Sequence, residues 1–162
     1  MTRSGIVPRI AQSWWAPGRV VASLRGTPER VLIVILMAAM LIFWVAQAPG
    51  HARAAHLDPS VPLDARLGGA LLAVVFMMPL VAYVVAELVA FASRLTPWRV
   101  SSADSRLALF WALLAVAPAM LLSGLTLGLA GPGAALSLTR AVAGIGFLVI
   151  WGAGLRALAG KA

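Results

Sequence analysis

Four long apolar runs, separated by short stretches that hold most of the charge, make up the pattern of this chain. The first is Val31–Ala48, VLIVILMAAMLIFWVAQA, 18 residues without a charge. At about 1.5 Å of rise per helical residue it is roughly 27 Å long, close to the hydrocarbon thickness of a bilayer. Ten of its residues are Val, Leu, Ile or Phe, which favours insertion by roughly 3–6 kcal/mol. The second run, Leu67–Phe91, has 25 residues and is long enough to tilt. Pro79 in its middle predicts a kink, because proline lacks a donor and crowds the preceding turn. The third, Leu107–Leu129, contains Pro118 and places Gly124 and Gly128 four apart. The fourth begins near Thr139 or Arg140 and runs to about Leu155.

The punctuation between the runs predicts where helices start. Thr27-Pro28-Glu29 reads as an N-cap, a first-turn proline and an acid at the positive helix end. Pro49–Arg66 reads as a polar connection with Asp64 placed to cap the next helix. Ser101-Ser102-Ala103-Asp104 has capping-box spacing, with Asp in place of the usual Glu, and should start the third helix. Gly131-Pro132-Gly133 predicts a tight turn. Ala46-Gln47-Ala48 has the small-x-small form of a signal-peptidase site, but the apolar core is too long and Pro49 would stiffen the bond, so cleavage is not expected.

The segment before the first run is different in kind. Arg3, Arg9, Arg19, Arg25 and Arg30 face a single acid, Glu29. Ser4 is placed to cap a short helix containing Pro8, with Ile6, Ile10 and Trp14 four apart; Pro17-Gly18 then breaks it. Val20, Val21 and Leu24 share one side of a second short helix. Apolar and aromatic residues interleaved with arginine suit a helix in the head-group layer, with Arg9, Trp14, Trp15, Arg19 and Arg25 as lipid-surface anchors. The plainer alternative is a loose basic tail with incidental aromatics.

Composition strengthens the membrane reading. Hydrophobic residues are 62% of the 162 and charged residues 11%, where soluble domains average about 25% charged. So little polar material cannot cover a soluble core of this size. The net charge of +8 comes from 12 Arg and one Lys against five acids. Most of those cations flank the apolar runs, which points to anionic lipid head groups rather than nucleic acid. With the N-terminus inside, ten Lys and Arg fall on the inner side and three on the outer. That asymmetry predicts cytoplasmic N- and C-termini. Arginine in place of lysine, with abundant Ala and Gly, suggests a GC-rich bacterial genome and hence the inner membrane. The expected fold is an all-α integral membrane protein. Residues 1–28 form its interfacial segment. Residues 29–158 form a four-transmembrane-helix bundle, with spans near 29–48, 67–91, 107–129 and 139–156.

Candidate chemistry is sparse. There is no cysteine, which excludes disulfides, thiol catalysis, zinc-thiolate and iron–sulfur sites. Glu87 is the one acid inside a span, with Tyr83 a turn away on the same face, and an intramembrane carboxylate is a functional candidate by default. The plainer reading pairs it with Arg94 or with an arginine of a neighbouring span. His51, His56, Asp58 and Asp64 offer metal-type ligands, but their spacing matches no helical pair, and solvated loop residues are the simpler account. No hydrolase elbow, zincin or phosphate-loop motif is present, so neither catalysis, cofactor nor metal is expected. Gly124, Gly128, Gly144 and Gly146 are candidate helix-packing faces, for this bundle or for a partner.

The arrangement resembles the bacterial branch of the Yip family, small multispan proteins related to Rab-GTPase-interacting proteins of the Golgi. The likeness covers most of residues 15–158. It lies in the basic, proline-punctuated lead-in from Pro17 to Arg30, and in Ser101-Ser102-Ala103-Asp104-Ser105-Arg106 running through Ala117-Pro118. The resemblance implies an α-helical membrane domain with a cytoplasmic N-terminus and no known catalytic residues, and members usually have about five spans. The expected function is a non-catalytic membrane interaction protein: an accessory or assembly subunit, or a membrane-shaping factor. Its partners would be anionic lipids and other membrane proteins or a second copy. The alternative is a small transporter or channel component using Glu87.

Overall fold

The computed structural model describes residues 5–161. It is all-helical apart from one two-residue strand pair. Two short helices, α1 (Ile6–Gln12) and α2 (Pro17–Ser23), lead into α3 (Glu29–Leu57). A nearly continuous rod follows, made of α4 (Leu63–Leu71), a π-helical turn over Leu72–Met77, and α5 (Met78–Ser93). Then come α6 (Ser102–Ala115), α7 (Ala117–Ala130) and α8 (Ala134–Leu158). Strand β1 (Trp98–Arg99) pairs antiparallel with β2 (Gly160–Lys161), tying the α5–α6 loop to the end of the chain. Three rods are long and apolar enough to cross a membrane: Glu29–Leu57, Leu63–Ser93 and Ala134–Leu158. The pair α6–α7, bent by 41°, makes a fourth if counted as one span.

Each proline leaves its mark, though not always the one expected. Pro79 sits in the first turn of α5, directly after the π turn. The wider turn takes up the crowding that the pyrrolidine ring imposes on the carbonyl one turn before it. Pro118 occupies the first turn of α7, where its missing N–H costs nothing, and the chain bends at Val116. Pro49 does not end its helix. The helix α3 runs on to Leu57 and α4 begins at Leu63, so most of the expected polar connection is helical. Thr27 also acts differently: its hydroxyl donates to the Leu24 carbonyl, closing the end of α2 rather than opening α3. Asp64 lies inside the first turn of α4, behind Pro62 at the N-cap. The Ser101 cap forms as expected, accepting from the Asp104 N–H at 3.1 Å. The expected Ser4 cap lies outside the described residues.

The core is built around α6. Its residues Leu107–Leu109 and Phe110–Ala112 are buried on all sides, and Trp111 and Phe110 are among the largest fully buried side chains. Helices α2, α3, α5 and α8 surround it. A helix apolar all round belongs in the centre of a bundle. Beyond the bend, α7 leaves this position and packs along the second half of α3. There, Gly124 lies against the backbone of Ala46, and Gly128 against Pro49. A Cβ at Gly124 would overlap the Ala46 carbonyl oxygen, so this approach requires glycine.

The N-terminal helices are fitted into the bundle. Gly154 faces Val21 and Ala108, Gly18 faces Ala153 and Ala157, and Ser13, Val20 and Val21 are buried. A Cβ on Gly146, half-way along α8, would stand 2.7 Å from the Trp14 ring. The Trp14 indole donates to the Ala115 carbonyl at 3.1 Å. That carbonyl is one of those that a helix end leaves without an internal partner. Trp111 in turn donates to the Ser13 hydroxyl at 2.9 Å. Arg25 reaches Asp104 at 3.3 Å and donates to the Leu158 carbonyl, so one cation joins the start of α6 to the end of α8. Because that side chain is 54% exposed, Arg25→Ala should cost only about 1 kcal/mol. Thermal unfolding in detergent should show this beside an unchanged Arg19→Ala.

Candidate functional site

The sequence candidate Glu87 lies in a polar cluster at the end of the bundle where α3 and α6 begin. Tyr83 and Glu87, four apart on α5, face Ser102 and Arg106, four apart on α6. The Ser101 cap fixes the first turn of α6 and so aims both of those side chains. Arg106 Nη1 meets Glu87 Oε1 at 2.7 Å, and Nη2 meets Glu29 Oε2 at 3.2 Å. The Ser102 hydroxyl donates to Glu87 Oε2 at 2.7 Å. The Tyr83 hydroxyl donates to Glu29 Oε1 at 2.7 Å, and the Arg106 guanidinium lies 5.9 Å from the centre of the Tyr83 ring. Both oxygens of Glu87 therefore already hold donors.

Arg94 is not part of this clamp. It lines a cleft of about 480 Å³ with Glu87, Tyr83 and Ser102, and forms no ion pair among the described residues. The arginine that answers Glu87 comes from the neighbouring helix instead. The neighbouring-span arginine that the sequence left unnamed is Arg106, whereas Glu29 and Ser102 were missed as site residues. The available signal was the four-residue spacing of Ser102 and Arg106 behind the cap.

The other candidates separate. Trp14, Gly146 and Arg25 make contacts inside the chain, as described above. Arg9 is half-buried, and Trp15 and Arg19 are exposed. Gly124 and Gly128 are covered by α3, whereas a Cβ on Gly144 would meet no atom within 4 Å. His56 is exposed in the last turn of α3. Asp58 accepts from the Ser60 N–H at 3.1 Å and from Arg66, contacts that hold its carboxyl below the usual range, Ser60 contributing most. Among the described residues no three His, Asp or Glu side chains stand close enough to hold a metal ion.

A second cavity, of about 540 Å³, opens at the opposite end of the bundle between α3, α7 and α8. Gln47 and His51 on α3 and Arg140 on α8 line its polar part; Phe43, Met120 and Phe147 line its apolar part. Reading α3 through Pro49 would have put Gln47 and His51 on one face; a helix stopped at Ala48 hides the pair.

Comparison with protein families, with characterised proteins and with solved structures finds no match for this chain. The assignment of function therefore stands on the residues and their geometry.

Proposed function

We propose that this is a four-span protein of a bacterial inner membrane, with cytoplasmic termini. Its role on this reading is that of a non-catalytic interaction protein, an accessory or assembly subunit or a membrane-shaping factor. The observation that carries the reading is the contrast between a closed polar cluster and uncovered apolar faces. Glu87 and Glu29 share Arg106, which removes the free carboxylate that a proton or cation pathway would use. Meanwhile Leu72, Phe76, Leu80, Val84 and Leu88 form a stripe along one face of the second rod, each more than half exposed. Ten basic residues against three support the orientation. Exposed Trp15 and Arg19 support contact with anionic head groups. The capped α6 running into Pro118 supports the Yip-like reading.

The partner surface differs from the glycine face expected first, because α3 already covers Gly124 and Gly128. The outer face of α5 is the surface left for another helix. Extraction in gentle detergent should yield a stoichiometric complex with a larger membrane protein, and Glu87→Gln should leave that complex intact. A chain that purifies alone and carries a proton or cation flux abolished by Glu87→Gln would establish the transporter instead.

A further inference from the structure

The cavity at the far end of the bundle is graded from polar to apolar along its α3 and α8 walls, and its α7 wall is mostly apolar. On α3 the lining residues His51, Gln47 and Phe43 recur every four residues, with the polar pair nearer the helix end. On α8 the order from the same end is Arg140, then Ala143 and Gly144, then Phe147. On α7 it is Leu127, then Ser123 and Gly124, then Met120. These spacings keep each set on one helix face, so the polar groups of α3 and α8 stand together at the mouth. Its volume, about 540 Å³, lies in the range of sites that hold small molecules.

Two features say what would fill it. Arg140 is exposed, has no acidic partner and makes no side-chain hydrogen bond among the described residues, whereas Arg66 and Arg106 are paired. It lies in the second turn of α8, below the helix start rather than in the loop. Gly144, one turn further on, leaves the flank open, unlike Gly124, Gly128 and Gly146, which are covered. An unpaired cation at the mouth and an apolar floor are complementary to an amphiphile with an anionic head.

We infer that this cavity seats one acyl chain of an anionic phospholipid of the surrounding bilayer, its phosphate held by Arg140 with His51 and Gln47 beside it. The inference rests on the reading of the chain as membrane-spanning, not on the accessory role. It is tested on the full chain in nanodiscs, using electron paramagnetic resonance of phosphatidylglycerol and phosphatidylcholine spin-labelled on the acyl chain. The wild type should immobilise the phosphatidylglycerol label with about a tenfold preference, the scale of one charge-assisted hydrogen bond. Arg140→Gln should bring the preference close to parity, and Arg140→Lys should retain most of it, since a phosphate accepts a point charge. Ala143→Leu, which adds volume to the lining, should lower immobilisation of both lipids. An unchanged preference in Arg140→Gln overturns the site, as does a preference that disappears with Arg99→Gln, at the other end of the bundle. A chain that fails to enter the bilayer at all overturns the membrane reading, whereas entry without the preference removes only the lipid site.

Discussion

Gly124→Ala should destabilise the bundle by about 3 kcal/mol, the upper end of what overpacking costs. One methyl group has this effect because its neighbour is the backbone carbonyl of Ala46, which cannot rotate aside as a side chain would. The two helices must separate along their contact, taking Gly128 off Pro49 and Leu127 off Gly50. Gly152→Ala is the matched control. It lies in the interior of α8 with no atom within 4 Å of a new Cβ, so the better helix propensity of alanine should leave stability unchanged or raise it by about 0.5–1 kcal/mol. Unfolding by dodecyl sulfate in mixed micelles compares the two directly. Equal midpoints for the two variants would mean that α3 and α7 do not meet at Gly124.

The second large effect is expected at Arg106. Replacing it by Gln removes the cation shared by Glu87 and Glu29 and leaves two carboxylates facing one another across the ends of α3 and α5. Breaking a fully buried pair costs about 3–5 kcal/mol. The glutamates here are 48% and 44% exposed, so solvent screening brings the expected loss to about 2 kcal/mol. Arg106→Lys should recover little, because a single ammonium does not reproduce the fork that spans both acids. In the double variant Arg106→Gln, Glu87→Gln, part of the loss should return, since one uncompensated charge has been removed. Arg94→Gln should be nearly silent. The double-mutant coupling is the decisive quantity: a value near zero would show that the cluster does not act as a clamp.

Some of this architecture was legible residue by residue. Apolar runs of bilayer length flanked by arginine mark the long helices, since no soluble core of this size could bury them. The Ser101 cap is local chemistry, one side chain and a backbone N–H three residues on, and it forms where its spacing indicates. Other local signals were overridden. Pro49 is tolerated inside α3, where Gly128 packs directly against it. Trp14 is amphipathic enough for a head-group layer, yet it stands against Gly146 and donates to the Ala115 carbonyl. The void beside Gly146 and the free carbonyl at the α6–α7 break are made by elements more than a hundred residues away.

The sequence by itself determined the helical class, the apolar rods, the breaks at Pro17 and Gly131, and the charge asymmetry, because each depends on composition or on neighbours within a turn or two. Tertiary structure decided which rod is central, which glycines are covered, and which arginine answers Glu87. Hydropathy does not distinguish the buried α6 from the exposed α5, since lipid and protein interior are equally apolar. Only the packing of side chains of complementary size, with Gly124 beneath Ala46 and Gly146 beneath Trp14, separates one arrangement from another.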